Sequence, residues 1–187
     1  QGMVAKVVTK TGAIHGLVDN AGIIRAAMTN KMLIDAWQEV IDVNLSGVFY
    51  CIQAVGRHMY QRYEDGDTSP ASIVNISSNA GRRGTIGQIN YSAAKSGVMG
   101  ITMSSAREWA ANQVRVNSVC FGVVEADMTK TIRSNKFRDR IMAQVPMGRF
   151  SNPEEGCQPV CILLSQAASY ITDQHLSLIH ISEPTRL

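Results

Sequence analysis

Apolar residues recur at three- and four-residue steps along three long segments of the chain, which is the period of an amphipathic helix. The clearest case runs over residues 30–62, where the apolar positions are Trp37, Val40, Ile41, Val48, Ile52, Val55 and Met59. The same period predicts helices over Ile89–Ala111 and over Pro153–Ser165. A further helix is predicted to end at Lys10-Thr11-Gly12, where the glycine acts as a stop.

Three short apolar runs lie between these helical segments and have the length and composition of buried strands. They are Gly16–Val18, which leads into Asp19-Asn20-Ala21-Gly22, and the runs Ser72–Ser77 and Val114–Val119. Strands that alternate with long helices pack as a parallel sheet covered by helices. The pattern therefore predicts an α/β fold with a parallel sheet. A glycine-rich loop is predicted after Ser77, and a mobile polar segment over residues 125–143.

The last twelve residues, 176–187, do not continue this pattern. An edge strand is due after Tyr170-Ile171-Thr172, yet the chain runs on into Ser-Glu-Pro-Thr-Arg. The segment resembles the translation of a sequencing adapter read through at the end of a DNA fragment. We therefore expect one domain over residues 1–175 and a non-native tail over residues 176–187.

Composition and charge narrow the function classes. Hydrophobic residues make up 45% and charged residues 18% of the 187-residue chain, which is ordinary for one globular domain. The 18 basic and 15 acidic residues leave a net charge of +3, too small and too scattered to indicate a nucleic-acid or membrane partner. No apolar run approaches the roughly 18 residues of a membrane span. We therefore expect a cytoplasmic protein.

The four cysteines, Cys51, Cys120, Cys157 and Cys161, form no C-x-x-C pair and do not group with histidines at zinc spacing. We therefore expect no metal site. Cys157 and Cys161 lie four residues apart on one face of a predicted helix. We interpret them as a pair of thiols in the core rather than as a redox or metal site.

Candidate chemistry begins with Tyr91 and Lys95, which stand at i and i+4 and so share one helix face. A tyrosine phenol has a pKa of about 10 and is a poor acid-base catalyst at neutral pH. A nearby ammonium favours the phenolate and lowers that pKa, so that the phenol exchanges a proton with a carbonyl or alcohol oxygen. The pair alone is a weak signal, because this spacing also arises by chance.

Ser78 and Asn44 add polar groups to the same region. Ser78 follows the buried strand Ser72–Ser77 and lies at the carboxyl edge of the predicted sheet, where α/β folds bind ligands. Taken alone, it is better explained as a turn residue at a strand end. Asn44 interrupts the apolar face of a long helix, and a buried amide needs a specific partner. The sequence leaves open whether the Asn44 amide makes a structural hydrogen bond in the core or takes part in catalysis.

In order and spacing, five motifs of the chain resemble the classical short-chain dehydrogenase/reductase family. The motifs are Asn20-Ala21-Gly22, Asn44, Ile76-Ser77-Ser78, Tyr91-x-x-x-Lys95 and Val116-Asn117. The resemblance covers residues 1–175 and implies a Rossmann-like, doubly wound parallel sheet. It also implies an oxidoreductase that transfers a hydride between a nicotinamide dinucleotide and a carbonyl or secondary alcohol. The dinucleotide is NAD or NADP, and we favour NADP.

The resemblance also implies a role for each site residue. Tyr91 is the acid-base catalyst, and Ser78 holds and polarises the substrate oxygen. Lys95 lowers the pKa of Tyr91 and binds the nicotinamide ribose, while Asn44 holds a water in the proton relay behind Lys95. Together these four residues form the implied catalytic set.

Further cofactor contacts are implied in the same way. Asn20, Ala21 and Gly22 shape the wall beside the adenosine half of the dinucleotide. Gly122 and the backbone of Val124 approach the nicotinamide. The implied cofactor site therefore draws on the residues after two different strands.

Departures from the family pattern concern the cofactor. Phe121 stands where the family usually has proline, and Ala126 where it often has threonine, which puts the affinity for the cofactor in doubt. The family's glycine-rich phosphate loop, its first three strands and the residue that selects NAD or NADP would precede Gln1. We therefore expect a truncated chain whose Gly16–Asn20 strand is a bare, apolar edge. We expect this piece to be poorly soluble and to bind no dinucleotide.

The substrate follows least directly from the sequence. Residues 125–144 take the place of the family's substrate lid, and Met128 and Met142 suit an adaptable apolar pocket. The chain is most similar to reductases of 3-oxoacyl groups on acyl carrier protein, which implies a small-molecule 3-oxoacyl thioester or a similar ketone. Ser69 and Asn112 stand where such reductases often present basic residues, so docking of a carrier protein is not supported.

Small residues recur at four-residue steps along the predicted helix Ile89–Ala111, at Ser92, Ser96, Gly100 and Ser104. They allow another helix to approach closely, either within the chain or from a second subunit, and the family resemblance favours a homotetramer or homodimer. One function of another class remains, a non-catalytic interaction or regulatory module of the same shape without a phosphate loop. The polar residues of the implied catalytic set favour the enzyme.

Overall fold

The computed structural model describes residues 2–178 and folds them around one parallel sheet. Its strands are β1 (Gly16–Asp19), β2 (Ala71–Ser78), β3 (Val114–Phe121) and β4 (His175–Ser177), in the order β1-β2-β3-β4. All three pairings are parallel, so the predicted α/β class is confirmed. β1 is an edge strand, and Val18 on it is 40% exposed, in agreement with the predicted apolar edge.

Helices connect the strands and cover the sheet. In the described chain they are α1 (Gly2–Thr11), α2 (Ile34–Ile41), α3 (Gly47–Glu64), α4 (Asn79–Arg83), α5 (Ile89–Trp109), α6 (Asn135–Met142) and α7 (Pro153–Leu164). A π-helical turn, Asp42–Ser46, joins α2 to α3, so the helix predicted over residues 30–62 contains one wide turn. No helix formed by residues 2–178 has the length and apolar character needed to cross a membrane.

β2 and β3 are buried along almost their whole length, because helices cover both faces of the sheet. Successive residues of a strand point to opposite faces. Ile73 therefore packs with Val55 of α3 and Val98 of α5, whereas Val74 packs with Leu163 of α7. The result is a three-layer arrangement of helices, sheet and helices, which leaves the ends of the strands as the open edge of the domain.

The structure differs from the sequence-based prediction in three segments. The glycine-rich loop after β2 begins with a short helix, α4, and the polar segment 125–143 contains α6. Within the first three residues of the predicted non-native tail, Leu176 and Ser177 belong to β4, which pairs with β3, and Leu178 packs on the core. Residues 179–187 of that predicted tail lie outside the described residues.

The predicted core pair of thiols is wrong. Cys157 and Cys161 are both exposed on α7. This helix turns Gly156 and Val160 towards the sheet, and each cysteine comes one residue later and so faces away from it. Within residues 2–178, no three histidine, cysteine, aspartate or glutamate side chains are arranged to hold a metal ion.

The variant Gly56→Ala tests the packing of α3 against the end of α5. A Cβ atom on Gly56 would lie 2.3 Å from Cη2 of Trp109. We expect the added methyl group to lower the free energy of unfolding by about 1–3 kcal/mol, the usual cost of overpacking, in urea denaturation. Gly100→Ala is the matched control, because a Cβ there meets no described atom within 4 Å. It should raise the same free energy by about 0.5–1 kcal/mol, and equal effects of the two variants would contradict the contact.

Candidate active site

Ser78 lies at the carboxyl edge of the sheet, where β2 ends and α4 begins. Ser78 is the last residue of β2 and the N-cap of α4, where its hydroxyl oxygen accepts a hydrogen bond from the N–H of Ala80 at 3.1 Å. A serine is favoured here because its short polar side chain satisfies one of the free N–H groups at a helix start. The cap uses the hydroxyl as an acceptor and leaves its proton available for donation.

Close packing of α4 on α5 brings Ser78 next to Tyr91 and Lys95. A Cβ atom on Gly81 would lie 2.6 Å from the backbone carbonyl carbon of Lys95, so any larger residue would force the two helices apart. The hydroxyl of Ser77 donates a hydrogen bond to the carbonyl oxygen of Lys95 at 2.8 Å. Ser78 lies close enough to Tyr91 for a hydrogen bond between hydroxyl and phenol. Ser78 therefore lies beside Tyr91, with Lys95 one helical turn further along α5.

The phenol of Tyr91 is protonated at neutral pH. Burial raises the pKa of Tyr91 above its ordinary value, and the hydrogen bond with Ser78 offsets part of that increase. The sequence predicted a pKa lowered by Lys95, and the structure differs. Lys95 Nζ lies 5.8 Å from the centroid of the Tyr91 ring and donates a hydrogen bond to the carbonyl oxygen of Ile76 at 2.7 Å. The phenol therefore keeps its proton at neutral pH and is a weaker acid than an exposed tyrosine.

Lys95 places a buried positive charge at the carboxyl edge of the sheet. The residue is only 3% exposed. Burial lowers the pKa of Lys95 to about 8, although the negative charges of Asp19 and Cys120 act in the opposite direction. Below that pH the ammonium form prevails, so a cation stands in the region where the sequence predicted one.

The amide of Asn44 anchors the segment that follows β1. Asn44 lies in the π-helical turn Asp42–Ser46 and is fully buried. Its Oδ1 accepts a hydrogen bond from the N–H of Ile23, and its Nδ2 donates one to the carbonyl oxygen of Ile23, both at 2.8 Å. The structure thus supports a structural role for the Asn44 amide, as a hydrogen-bond partner in the core. Its role in holding a water stays a prediction.

The residues predicted beside the adenosine half of a dinucleotide follow β1. Asn20 and Ala21 are exposed directly after the strand. Gly22 lies deeper, and a Cβ atom there would come within 3.4 Å of Asn44 Oδ1 and 3.7 Å of Lys95 Nζ. Of these three residues, Gly22 is therefore the one that lies against the buried side chains of Asn44 and Lys95.

Gly122 and Val124 follow β3 and border a cavity of about 230 Å³. The other lining residues come from the region around α6, from α7 and from the end of the described chain: Met147, Arg149, Ser151, Glu155, Ser177 and Leu178. The hydroxyl of Thr129 donates to the carbonyl oxygen of Val124 and accepts from the N–H of Ala126 at 3.2 Å. A threonine hydroxyl thus occupies the turn in which Ala126 departs from the family pattern.

Two buried polar residues were missed by the sequence analysis. The Nδ2 of Asn90 donates to the carbonyl oxygens of Arg25 and Ala36, both at 3.0 Å, and its Oδ1 accepts from the N–H of Tyr91 at 2.8 Å. Asn90 thereby holds the start of α5 against two neighbouring segments. Asp19, the last residue of β1, is 7% exposed. The only sequence signal for either residue is its position directly before a predicted site residue.

Comparison with known proteins finds similarity over nearly the whole chain. A family model described as "Enoyl-(Acyl carrier protein) reductase" matches residues 1–178. The chain is 42% identical to the 3-oxoacyl-(acyl-carrier-protein) reductase FabG of Thermotoga maritima over 176 residues, which are 94% of this chain and 69% of that protein. It is 41% identical to the acetoacetyl-CoA reductase of Shinella zoogloeoides over 174 residues, 93% of this chain and 70% of the relative. A FabG of Staphylococcus aureus is 38% identical over 180 residues, 96% and 69% of the two chains.

Removal of the Asn44 amide is expected to destabilise the fold. Asn44→Ala leaves both the N–H and the carbonyl oxygen of Ile23 without their partner, so the free energy of unfolding should fall by about 1–3 kcal/mol in urea denaturation. Asn112→Ala is the control, because Asn112 bonds Glu64 on an exposed surface. Its effect should stay within about 0.5 kcal/mol, and an equally small effect of Asn44→Ala would contradict the anchoring role.

The contact between Ser78 and Tyr91 has a spectroscopic consequence. Ser78→Ala removes a hydrogen bond that favours the phenolate, so the pKa of Tyr91 should rise further above its ordinary value. Ultraviolet absorbance of the phenolate, titrated against a Tyr91→Phe reference, isolates this group from the other tyrosines. Ser78→Thr retains a hydroxyl and should restore the parent titration. A pKa that stays constant or falls in Ser78→Ala would show that the hydroxyl does not act on the phenol.

Proposed function

The chain belongs to the short-chain dehydrogenase/reductase family, and on this basis we propose that it carries the active site of an oxidoreductase that moves a hydride between a nicotinamide dinucleotide and a carbonyl or secondary-alcohol carbon. The observation that carries the proposal is the meeting of the Ser78 hydroxyl, the Tyr91 phenol and the Lys95 ammonium at one edge of the sheet. A hydroxyl, a protonated phenol and a buried cation together suit the polarisation and protonation of a carbonyl oxygen.

Tyr91 is assigned the proton transfer. Its phenol carries a proton at neutral pH and donates that proton as the carbonyl oxygen gains negative charge. Ser78 donates a second hydrogen bond to the same oxygen and so stabilises the charge that develops there. The Lys95 ammonium favours the phenolate that remains on Tyr91 after the transfer.

The residues at the sheet edge fit the nicotinamide half of a dinucleotide. Gly22 leaves open the space beside Lys95 Nζ that a side chain would fill. Gly122 and Val124 border the cavity of about 230 Å³. Lys95 would bind the ribose and Gly122 with Val124 the nicotinamide, and the dinucleotide supplies or accepts the hydride when bound. NADP rather than NAD is our proposal, on the similarity to reductases.

A 3-oxoacyl thioester is the substrate class that we propose. The relatives from Thermotoga maritima and Shinella zoogloeoides are named for 3-oxoacyl groups on acyl carrier protein and for acetoacetyl-CoA, both of which are 3-oxoacyl thioesters. The region between β3 and α7 presents Met128 and Met147, which are 50% and 65% exposed, and Met147 borders the cavity. Flexible methionine side chains adapt to acyl chains of different shape.

We also propose that α3 and α5 pack between subunits of a homodimer or homotetramer. Phe49, Tyr50 and Tyr60 on α3 and Met103 on α5 are large hydrophobic side chains with exposed fractions between 40% and 64%. Large apolar side chains exposed on two neighbouring helices favour an interaction surface.

The variant Tyr91→Phe tests the assigned proton transfer. Without the phenol, NADPH-dependent reduction of acetoacetyl-CoA should slow by about 10²–10⁴-fold, while binding of NADPH is unchanged. The assay follows NADPH absorbance with the 187-residue chain and with the complete product of the gene that encodes it. Tyr170→Phe is the matched control, because the Tyr170 side chain is fully exposed and lies outside the site.

Two results would contradict this function. Reduction of acetoacetyl-CoA by Tyr91→Phe at the parent rate would show that another group transfers the proton. Absence of both NADPH binding and turnover in both proteins would favour the alternative of a non-catalytic module of the same shape. Turnover with another ketone but not with acetoacetyl-CoA would contradict the substrate class alone.

A further inference from the structure

Two buried oxygen atoms stand opposite each other on the first pair of strands, and neither has a hydrogen-bond donor among residues 2–178. They are Oδ2 of Asp19 on β1 and Oδ1 of Asn75 on β2. The two residues are direct partners in the parallel register, so their side chains leave the sheet on the same face from strands about 4.8 Å apart. Buried acceptors without donors are costly, so two of them in register require a physical explanation.

The orientation of the Asn75 amide is set by α5. Its Nδ2 donates to Oγ1 of Thr102 at 2.8 Å, and Thr102 donates its own proton to the carbonyl oxygen of Val98 at 2.8 Å. Because the threonine proton is already used, turning the amide round would place two acceptors together. Oδ1 of Asn75 therefore needs a donor from elsewhere. Two polar residues are paired with Asn75 in register, Asp19 on β1 and Ser118 on β3, and the Ser118 hydroxyl is already engaged with Nδ1 of His175 at 2.7 Å, which leaves Asp19.

The surroundings of Asp19 favour an uncharged carboxyl group. Burial raises the pKa of Asp19 to about 7, against the opposing effects of a hydrogen bond from the Cys51 thiol on α3 and of the Lys95 charge on α5. Asn75 faces it from β2 and carries no charge. Cys120 on β3 is a further titratable group near Lys95, and its charge raises the pKa of Lys95. Among the described residues, no cationic nitrogen lies within 4 Å of the Asp19 carboxyl.

We propose that Asp19 is held as a carboxylic acid whose Oδ2 proton is donated to Oδ1 of Asn75, and that Asp19 serves as a proton-holding positioning residue for Lys95. This hydrogen bond satisfies both unpartnered oxygens at once. The carboxyl group also accepts the hydrogen bond from the Cys51 thiol. Ionisation breaks the bond to Asn75 and places a negative charge in the same cluster as the Lys95 ammonium.

The link to catalysis rests on the proposed function. The charge of an ionised Asp19 favours the ammonium form of Lys95, so the cation persists to higher pH. That cation is the group that favours the phenolate of Tyr91. Loss of the Asp19 proton near neutral pH therefore extends the pH range over which the site retains a positive charge. Asp19→Asn keeps a donor towards Asn75 but supplies no charge.

Infrared spectroscopy of the 187-residue chain tests the protonation state directly. The parent should show the C=O stretch of a carboxylic acid at about pH 6 and lose it by about pH 8, through the range in which Asp19 titrates. Asp19→Asn should lack this band at both pH values, and Asp139→Asn, which changes an exposed carboxylate on α6, should retain the parent behaviour. A parent without the band at pH 6, or a band that survives Asp19→Asn, would overturn the proposal.

The pH dependence of unfolding provides an independent measurement. An unfolded aspartate has a pKa of about 3.9, so between about pH 4 and 7 the native state binds one proton more than the unfolded state. The unfolding equilibrium constant of the parent should therefore rise about tenfold per pH unit relative to that of Asp19→Asn. A pH-independent ratio would overturn the proposal.

If Asp19→Asn does not fold, a second variant tests the protonation state of Asp19. Cys51→Ala removes the thiol donor that favours the carboxylate, so the infrared band should persist to higher pH than in the parent. An unchanged midpoint in Cys51→Ala would overturn the assignment of the band to Asp19.

The link to Lys95 is read by NMR titration of its side chain. In Asp19→Asn the pKa of Lys95 should fall by about one unit, and in Asp139→Asn it should not move. An unshifted Lys95 in Asp19→Asn would overturn the positioning role. The infrared band and the Lys95 shift in a protein without reductase activity would contradict the proposed function alone. Reductase activity without the band would contradict this inference alone.

Discussion

Burial of the Lys95 ammonium is the constraint on which the rest of the candidate site depends. A cation that is only 3% exposed must find polar partners within the protein, because little water remains to solvate it. The chain supplies the carbonyl oxygen of Ile76 near the end of β2, which accepts a hydrogen bond from the Lys95 ammonium at 2.7 Å. α5 also lies directly against α4, an approach that the missing side chain of Gly81 permits.

Other buried polar groups of the same edge hold backbone segments rather than solvent. Asn44 binds both backbone groups of Ile23, and Asn90 ties the start of α5 to two neighbouring segments. Each such amide is costly to bury unless all of its groups are partnered. Asn90 in this way fixes the start of α5, on which Tyr91 lies, and this suits a site that must hold reacting groups in a fixed geometry.

Sequence spacing predicted the residues of the site better than their electrostatics. Ser78, Tyr91 and Lys95 meet as the motif spacing and the family resemblance predicted, although their roles remain proposals. The net pKa of Tyr91 is raised rather than lowered, because helical spacing places Lys95 one turn away but does not determine how deeply the phenol is buried. Asp19 was missed for a related reason, since its importance comes from Asn75, its partner on another strand.

The period of the apolar residues by itself determined the α/β class, the order of helices and strands and the position of Ser78 at a strand end, because these depend on neighbours along the chain. Only the tertiary structure decided which way Cys157 and Cys161 face and which donors reach the buried oxygens of the strand ends. Solvent exposure and hydrogen-bond partners are set by atoms that are distant in sequence and close in space. For that reason the protonation states of Asp19, Tyr91 and Lys95 follow from the packing of α3 and α5 on the sheet rather than from any local motif.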